Sequence, residues 1–340
     1  MKKTLFVVAV AAIAMTACTN EKNEYVGDNS PKEIAFKAFA TPTTRAAVDG
    51  TIFTPTTMMV TAYNATAGAN YFGATAFSGA GTESAEYTGG KYWPFTPATI
   101  NFLAIANANA NNTTGVTWGP SDSNPTEKVQ IVMGDNKTNQ YDLMYACGTG
   151  TVSQTGSPAN TLEFPTNVPM VFKHAQAWVK FTVKAGDATS ETAITINKIT
   201  LNSVSCNGTF LVTHANWNET KASRDAADPA GSKDGSVSGV WSAYTPASNI
   251  DAVPASGSFT LSTSVQDFAS LMVVPNQGMA SFTINYTLGG HTYDYTYTPA
   301  STTLAQATKY TYNITLTVHE IKIAPTVTDW TEGGPTNVSI

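Results

Sequence analysis

The sequence predicts an all-β protein folded as antiparallel β-sandwiches with Greek-key connections, and three observations carry that expectation. Apolar and polar residues alternate strictly in the C-terminal third. Short β-branched or aromatic runs recur along the chain between clusters of Gly, Pro, Asn and Ser. No long stretch has the spacing of an amphipathic helix.

The firmest element is a hairpin. Phe282, Ile284, Tyr286 and Leu288 alternate with Thr283, Asn285 and Thr287, and Gly289-Gly290 follows as a two-residue turn with freedom at both positions. Reversal there places Leu288 opposite His291, Tyr286 opposite Tyr293, Ile284 opposite Tyr295 and Phe282 opposite Tyr297. A one-residue slip would set this apolar face against Thr292, Asp294 and Thr296, so the pattern itself specifies the register. A second one-faced strand runs through Tyr310, Tyr312, Ile314, Leu316 and Val318. Shorter strands are expected at residues 100–106, 129–133, 177–183 and 271–274, with the longest loops at 104–124 and 221–238.

The N-terminus reads as an export leader. Lys2 and Lys3 precede an apolar run over residues 5–15, shorter than the roughly 20 residues that span a bilayer. Met15-Thr16-Ala17-Cys18 resembles the lipobox of bacterial lipoproteins, with Met15 where Leu is usual, and so marks Cys18 for acylation. The alternative is an ordinary signal peptide followed by a chance cysteine. Residues 19–30 then read as a polar tether.

Length and composition bound the rest. The 340 residues, 12% charged and 42% hydrophobic, suffice for two medium domains with separate cores. The expected division is 1–17 signal peptide, 18–45 tether and first strand, 46–165 N-terminal sandwich and 166–340 C-terminal sandwich with tail. A net charge of −6 gives no basic stripe of the kind that neutralises phosphates, which argues against a nucleic-acid partner. Cys147 and Cys206 are too few for a disulfide scaffold and read as two separate buried thiols.

Catalytic and metal signatures are missing. His174, His214, His291 and His319 are scattered without metal-ligand spacing, and no HExxH, GxSxG or GxGxxG pattern occurs. Asp225, Asp228 and Asp234 share a loop but lack EF-hand spacing, so a solvated acidic loop is expected. No cofactor, metal or catalytic residue is assigned.

An ordered series of segments carries a resemblance: Lys91-Tyr92-Trp93-Pro94, Tyr141-Asp142-Leu143-Met144-Tyr145-Ala146, Val171-Phe172-Lys173-His174-Ala175, Leu271-Met272-Val273-Val274-Pro275, Lys309-Tyr310-Thr311-Tyr312-Asn313-Ile314 and Asp329-Trp330. With the lipobox, this series resembles the Mfa-like fimbrillin family, the type V pilins of Bacteroidales, over nearly the whole chain. The resemblance implies two transthyretin-like β-sandwich domains, passage through the lipoprotein export machinery to the outer membrane, and adhesive surface fimbriae. It further implies cleavage by an arginine-specific protease and polymerisation with other copies or related fimbrial subunits.

The parts for such assembly are present. Ile34, Phe36 and Ala38 mark a short strand before Thr43-Thr44-Arg45-Ala46, where cleavage between Arg45 and Ala46 would release lipid and strand together. The groove left behind could accept another subunit's strand by β-augmentation. Read from residues alone, Ile34 to Ala40 serves equally as a permanent first strand with Arg45 in a solvated turn; the resemblance favours cleavage. Ile321, Ile323, Val327 and Trp330 form a candidate donor tail, with the last strand of the chain's own domain as the alternative. A non-polymerising surface lipoprotein that binds glycans or acts as an adhesin stays open as the second functional reading.

Overall fold

The computed structural model describes residues 30–40, 55–82, 85–107, 113, 117–118, 128–133, 141–156, 159–186, 193–206, 208–214, 237–242, 248–254, 257, 259–275, 278–300, 303–317 and 321–329. In chain order its strands are β1 (Glu33–Ala40), β2 (Thr57–Asn64), β3 (Ala69–Ser78), β4 (Tyr87–Tyr92), β5 (Ala98–Asn107), β6 (Thr117–Trp118), β7 (Lys128–Met133), β8 (Leu143–Gly156), β9 (Ala159–Glu163) and β10 (Val168–His174). There follow β11 (Ala177–Ala185), β12 (Thr195–Val204), β13 (Gly208–His214), β14 (Val237–Ser242), β15 (Ser248–Ala252), β16 (Phe259–Thr260), β17 (Gln266–Val273), β18 (Ser281–Leu288), β19 (His291–Tyr297), β20 (Thr308–Leu316) and β21 (Ile321–Asp329). No helix occurs among the described residues, so the expected all-β class holds. β5 continues to Asn107, into what the sequence reads as loop.

The first sheet runs β10-β1-β4-β3-β2-β5-β8-β9, and β10 also pairs with β8 through Lys173↔Tyr145 and His174↔Met144. That last pairing closes seven strands into a barrel-like ring, where the sequence predicts an open sandwich. Closure removes the edges that two short sheets would expose. The interior is aromatic: Phe36, Phe77, Tyr87, Trp93, Phe102 and Phe172 are all buried there. It is a packed core. β8 makes room for it with Gly150, where a Cβ would overlap the Trp93 indole.

The C-terminal part is a sandwich of two sheets, β17-β11-β20-β21 and β15-β12-β18-β19, with β16 beside β12. Val179, Phe181, Tyr312 and Ile314 of one sheet share a buried cluster with Ile199, Leu201, Phe282 and Ile284 of the other. Phe282 makes edge contacts with Phe181 at 5.1 Å and Tyr312 at 4.9 Å between centroids. The pairing is not wholly antiparallel as expected, because β1–β10 and β11–β20 are parallel. Parallel neighbours need long crossovers, and these strands are far apart in sequence.

The hairpin has the register read from its pattern, from Phe282↔Tyr297 to Leu288↔His291, with both turn glycines at positive φ. Its two strands differ in burial. Phe282 and Ile284 are fully buried, but β19 is an edge strand and Tyr293 and Tyr295 remain exposed.

A fourth sheet, β14-β13-β7-β6, draws strands from both sides of residue 165. Phe210 and Trp241 of this sheet pack with Leu143, Tyr145, Ala175 and Val274, and the Trp241 indole donates to the Ala175 carbonyl at 2.6 Å. A buried hydrogen bond, between His174 Nδ1 and Asp142 Oδ1 at 3.0 Å, lies where β10 meets β8. β10, which lies beyond residue 165, completes the first ring beside β1 and β8. Cys147 and Cys206 are both buried and are not joined in a disulfide.

Candidate functional site

The site is a strand slot. β1 lies between β4, antiparallel to it, and β10, parallel to it from Phe36↔Val168 to Ala40↔Phe172. Alternation in β1 sends Ile34, Phe36 and Ala38 inward, and all three are buried. Phe36 stands edge-on to Phe77 and to Phe102, each at 4.9 Å between centroids. Each of the large side chains contributes roughly 1.5–3 kcal/mol by burial, and each ladder hydrogen bond roughly 0.5–1.5 kcal/mol net.

The mouth of the slot is held by polar contacts. The Gly90 amide donates to Glu33 Oε1 at 2.8 Å, and the Trp93 amide donates to the Lys32 carbonyl at 2.9 Å. A shift of register between Glu33 and Ala35 marks a bulge where β1 enters. Inside, the Tyr87 hydroxyl and the Trp93 indole N–H are buried without a hydrogen-bond partner among the described residues, and burial raises the Tyr87 pKa.

The walls of the slot were not singled out from sequence. They are the inward Val168, Met170 and Phe172 of β10 together with Tyr87 of β4. The alternation of β10 was readable, but its partnership with a strand so distant in sequence was not.

The tail sits elsewhere. β21 pairs with its own β20 over nine residues, from Thr308↔Asp329 to Leu316↔Ile321, and forms the edge of its sheet. Asn313 reaches across the pair, donating to the Ala324 carbonyl at 3.1 Å and to Thr326 Oγ1 at 3.3 Å. Ile321 and Ile323 are half-buried, Val327 is 55% exposed, and Pro325 removes one ladder donor. This strand is bound mainly by its backbone. Cys18, Arg45, Ala46 and Trp330 lie outside the described residues, as do Asp225, Asp228 and Asp234. Among the described residues no group of three metal-ligating side chains gathers.

The fold defines a class first: an all-β protein whose strand β1 is seated between β4 and β10 in a closed ring. Comparison supplies the family. A fimbrillin-like family model matches residues 44–330, and the chain belongs to that family, whose members are structural proteins and not enzymes. Among solved structures it is similar to a candidate cell adhesion protein of Bacteroides uniformis, with TM-score 0.52 and 16% identity over 88% of this chain and 98% of that one. A candidate cell adhesion protein of Bacteroides ovatus has TM-score 0.50 and 14% identity over 88% and 98% of the two chains. The fimbrial anchor protein Mfa2 of Porphyromonas gingivalis has TM-score 0.42 and 9% identity over 90% and 100%. No curated protein sequence matches.

Proposed function

We propose that this chain is a structural subunit of a cell-surface fimbrium that is exported as a lipoprotein through Cys18 and matured by cleavage after Arg45. It polymerises when a strand from another subunit enters the slot vacated by β1. The observation that carries this reading is the position of β1. It is the first strand, it follows the tether, and its departure would open the barrel between β4 and β10 while exposing a pocket lined by Phe77 and Phe102. Such a groove offers backbone groups on both sides and pockets for alternate side chains, the two requirements of strand addition.

β21 is the candidate donor. Ile321, Ile323 and Val327 lie on one face of a terminal edge strand that the sandwich buries only in part, so its release exposes little core. The partners in this reading are other copies or related fimbrial subunits, an arginine-specific protease and the lipoprotein export machinery. The lipidated precursor resides in the outer membrane and the mature subunit in an adhesive fimbrium.

The continuous pairing of β21 with β20 favours one competing reading, a lipoprotein adhesin that never polymerises and keeps both terminal strands. N-terminal sequencing of protein recovered from the cell surface separates the two. Assembly predicts Ala46 as the first residue and loss of lipid label in Cys18→Ser precursor; a surface protein that still begins at Cys18 refutes the cleavage step. Deletion from Ile321 onward should leave a folded monomer that no longer joins filaments. Filaments built from the deleted chain would remove β21 as donor, and unfolding of that chain would assign β21 to the domain core.

A further inference from the structure

The outer face of the sheet β17-β11-β20-β21 has a charge opposite to that of the whole chain, which carries −6. In β11 the odd positions Val179, Phe181 and Val183 enter the core, so Lys180 and Lys184 stand outside. The register of β20 sets Lys309 beside Trp178, and β21 places Lys322 opposite Thr315, which is itself beside Lys184. Four ammonium groups therefore share this face with one carboxylate among the described residues, Asp267, which pairs with Lys180 at 2.8 Å.

The cations are spaced and crowded in a defined way. Lys309 lies on the Trp178 ring, 4.1 Å from its centroid, and diagonally adjacent to Lys180. Burial lowers the Lys309 pKa first, and the Lys180 charge lowers it further, against the opposing pull of Asp267. This repulsion is what a bound anion relieves. Lys184 stands four residues from Lys180, about 13 Å along an extended strand. Between them the strip is neutral and polar: the Thr182 hydroxyl donates to Asn313 Oδ1 at 2.6 Å, and Asn313 is fixed in turn by β21.

The other sheet of the sandwich shows that this is not a general property of the surface. On the outer face of β15-β12-β18-β19, Lys198 pairs with Asp251 at 2.9 Å, and Asp294 accepts from Asn285 at 2.7 Å. One ammonium there meets two carboxylates among the described residues. The two faces of one domain thus differ in sign.

We infer that the lysine face of β11, β20 and β21 binds an acidic polysaccharide, a polymer whose sulfate or carboxylate groups are separated by hydroxylated rings. Separated cations with hydroxyl and amide groups between them match that chemistry. A single-stranded nucleic acid would call for open aromatic platforms, and the Trp178 ring is already covered by Lys309. Lys180, Lys184 and Lys309 lie on β11 and β20 and stay on this face even where β21 leaves it.

The test is binding of the purified protein to immobilised chondroitin sulfate, with uncharged dextran and a single-stranded DNA as comparison probes. Chondroitin sulfate should bind, weaken as salt rises, and exceed both comparison probes. The double variant K184Q/K322Q leaves the Lys180–Asp267 and Lys309–Trp178 contacts in place and should weaken binding about fivefold, while K180Q/K184Q/K309Q should weaken it at least about tenfold. Lys198→Gln on the opposite sheet should change nothing. No binding at low salt, an unchanged affinity in K184Q/K322Q with its circular dichroism intact, an equal loss in Lys198→Gln, or DNA binding as tight as that of chondroitin sulfate would each overturn the proposal.

Discussion

The rings of Phe36 and Phe102 meet edge to face, 4.9 Å apart at 81°, so β1 is anchored across the barrel interior on β5 of the opposite wall. The same Phe36 ring touches Phe77 at 77°. Truncating it removes contacts on two sides at once.

Phe36→Ala should therefore destabilise the uncleaved protein by about 3–5 kcal/mol, read as a lower urea midpoint. In protein beginning at Ala46 the position is gone, so Phe36→Ala precursor that is nevertheless cleaved should yield mature subunits with the stability of wild type. A persistent difference after cleavage would contradict removal of β1.

Gly150 faces the Trp93 indole so closely that a methyl group overlaps it, whereas Gly73 on β3 faces open space. Gly150→Ala should cost about 1–3 kcal/mol through overpacking, while Gly73→Ala should be neutral or stabilise by a fraction of a kcal/mol. Thermal unfolding of the two variants side by side checks the close approach.

The hairpin gives a contrast across one rung. Ile284 is fully buried and its partner Tyr295 is 36% exposed. Ile284→Asp should cost more than about 3 kcal/mol, because it buries a carboxylate among Phe181, Phe282 and Tyr312 neighbours, and Tyr295→Asp about 1 kcal/mol or less. Similar urea midpoints for the two variants would show that β19 is more covered than its exposure indicates.

Tyr312 supplies a pH signature. Burial, then the neighbouring Tyr297 and Tyr310, raise its pKa far above the ordinary tyrosine value. A group with a raised folded-state pKa contributes stability in full below its unfolded pKa and loses it as pH rises toward the folded one. The urea midpoint should stay flat up to about pH 9.5 and fall above about pH 10. Tyr312→Phe should shallow that alkaline decline, leaving the smaller share of Tyr286, Tyr71 and Tyr87, whose pKa values are also raised by burial.

What could be read from sequence was whatever local alternation dictates. The hairpin register followed from Phe282, Ile284 and Leu288, because a slip would have put these side chains on the wrong face. The burial of Ile34, Phe36 and Ala38 was legible for the same reason. The closed ring was not. It depends on His174↔Met144 and Phe36↔Val168, pairings between distant segments that leave no periodic trace. The fourth sheet escaped for the same cause, since Phe210↔Ile131 joins halves that composition would keep apart. The lysine face stayed hidden because Lys180, Lys184, Lys309 and Lys322 become neighbours only through the parallel β11–β20 pairing. Overall acidity pointed the other way.

The parallel pairing of β1 with β10 also orders events in time. β1 leaves the ribosome first, yet one wall of its seat, residues Val168 to Phe172, comes from the far end of the ring's sequence. Such a high-contact-order closure carries its loop entropy before any reward, so it is slow relative to the hairpins and meanders around it. Within the ring, the strand made earliest is thus the one seated last, and it stays unlocked until about half of the polypeptide has been made.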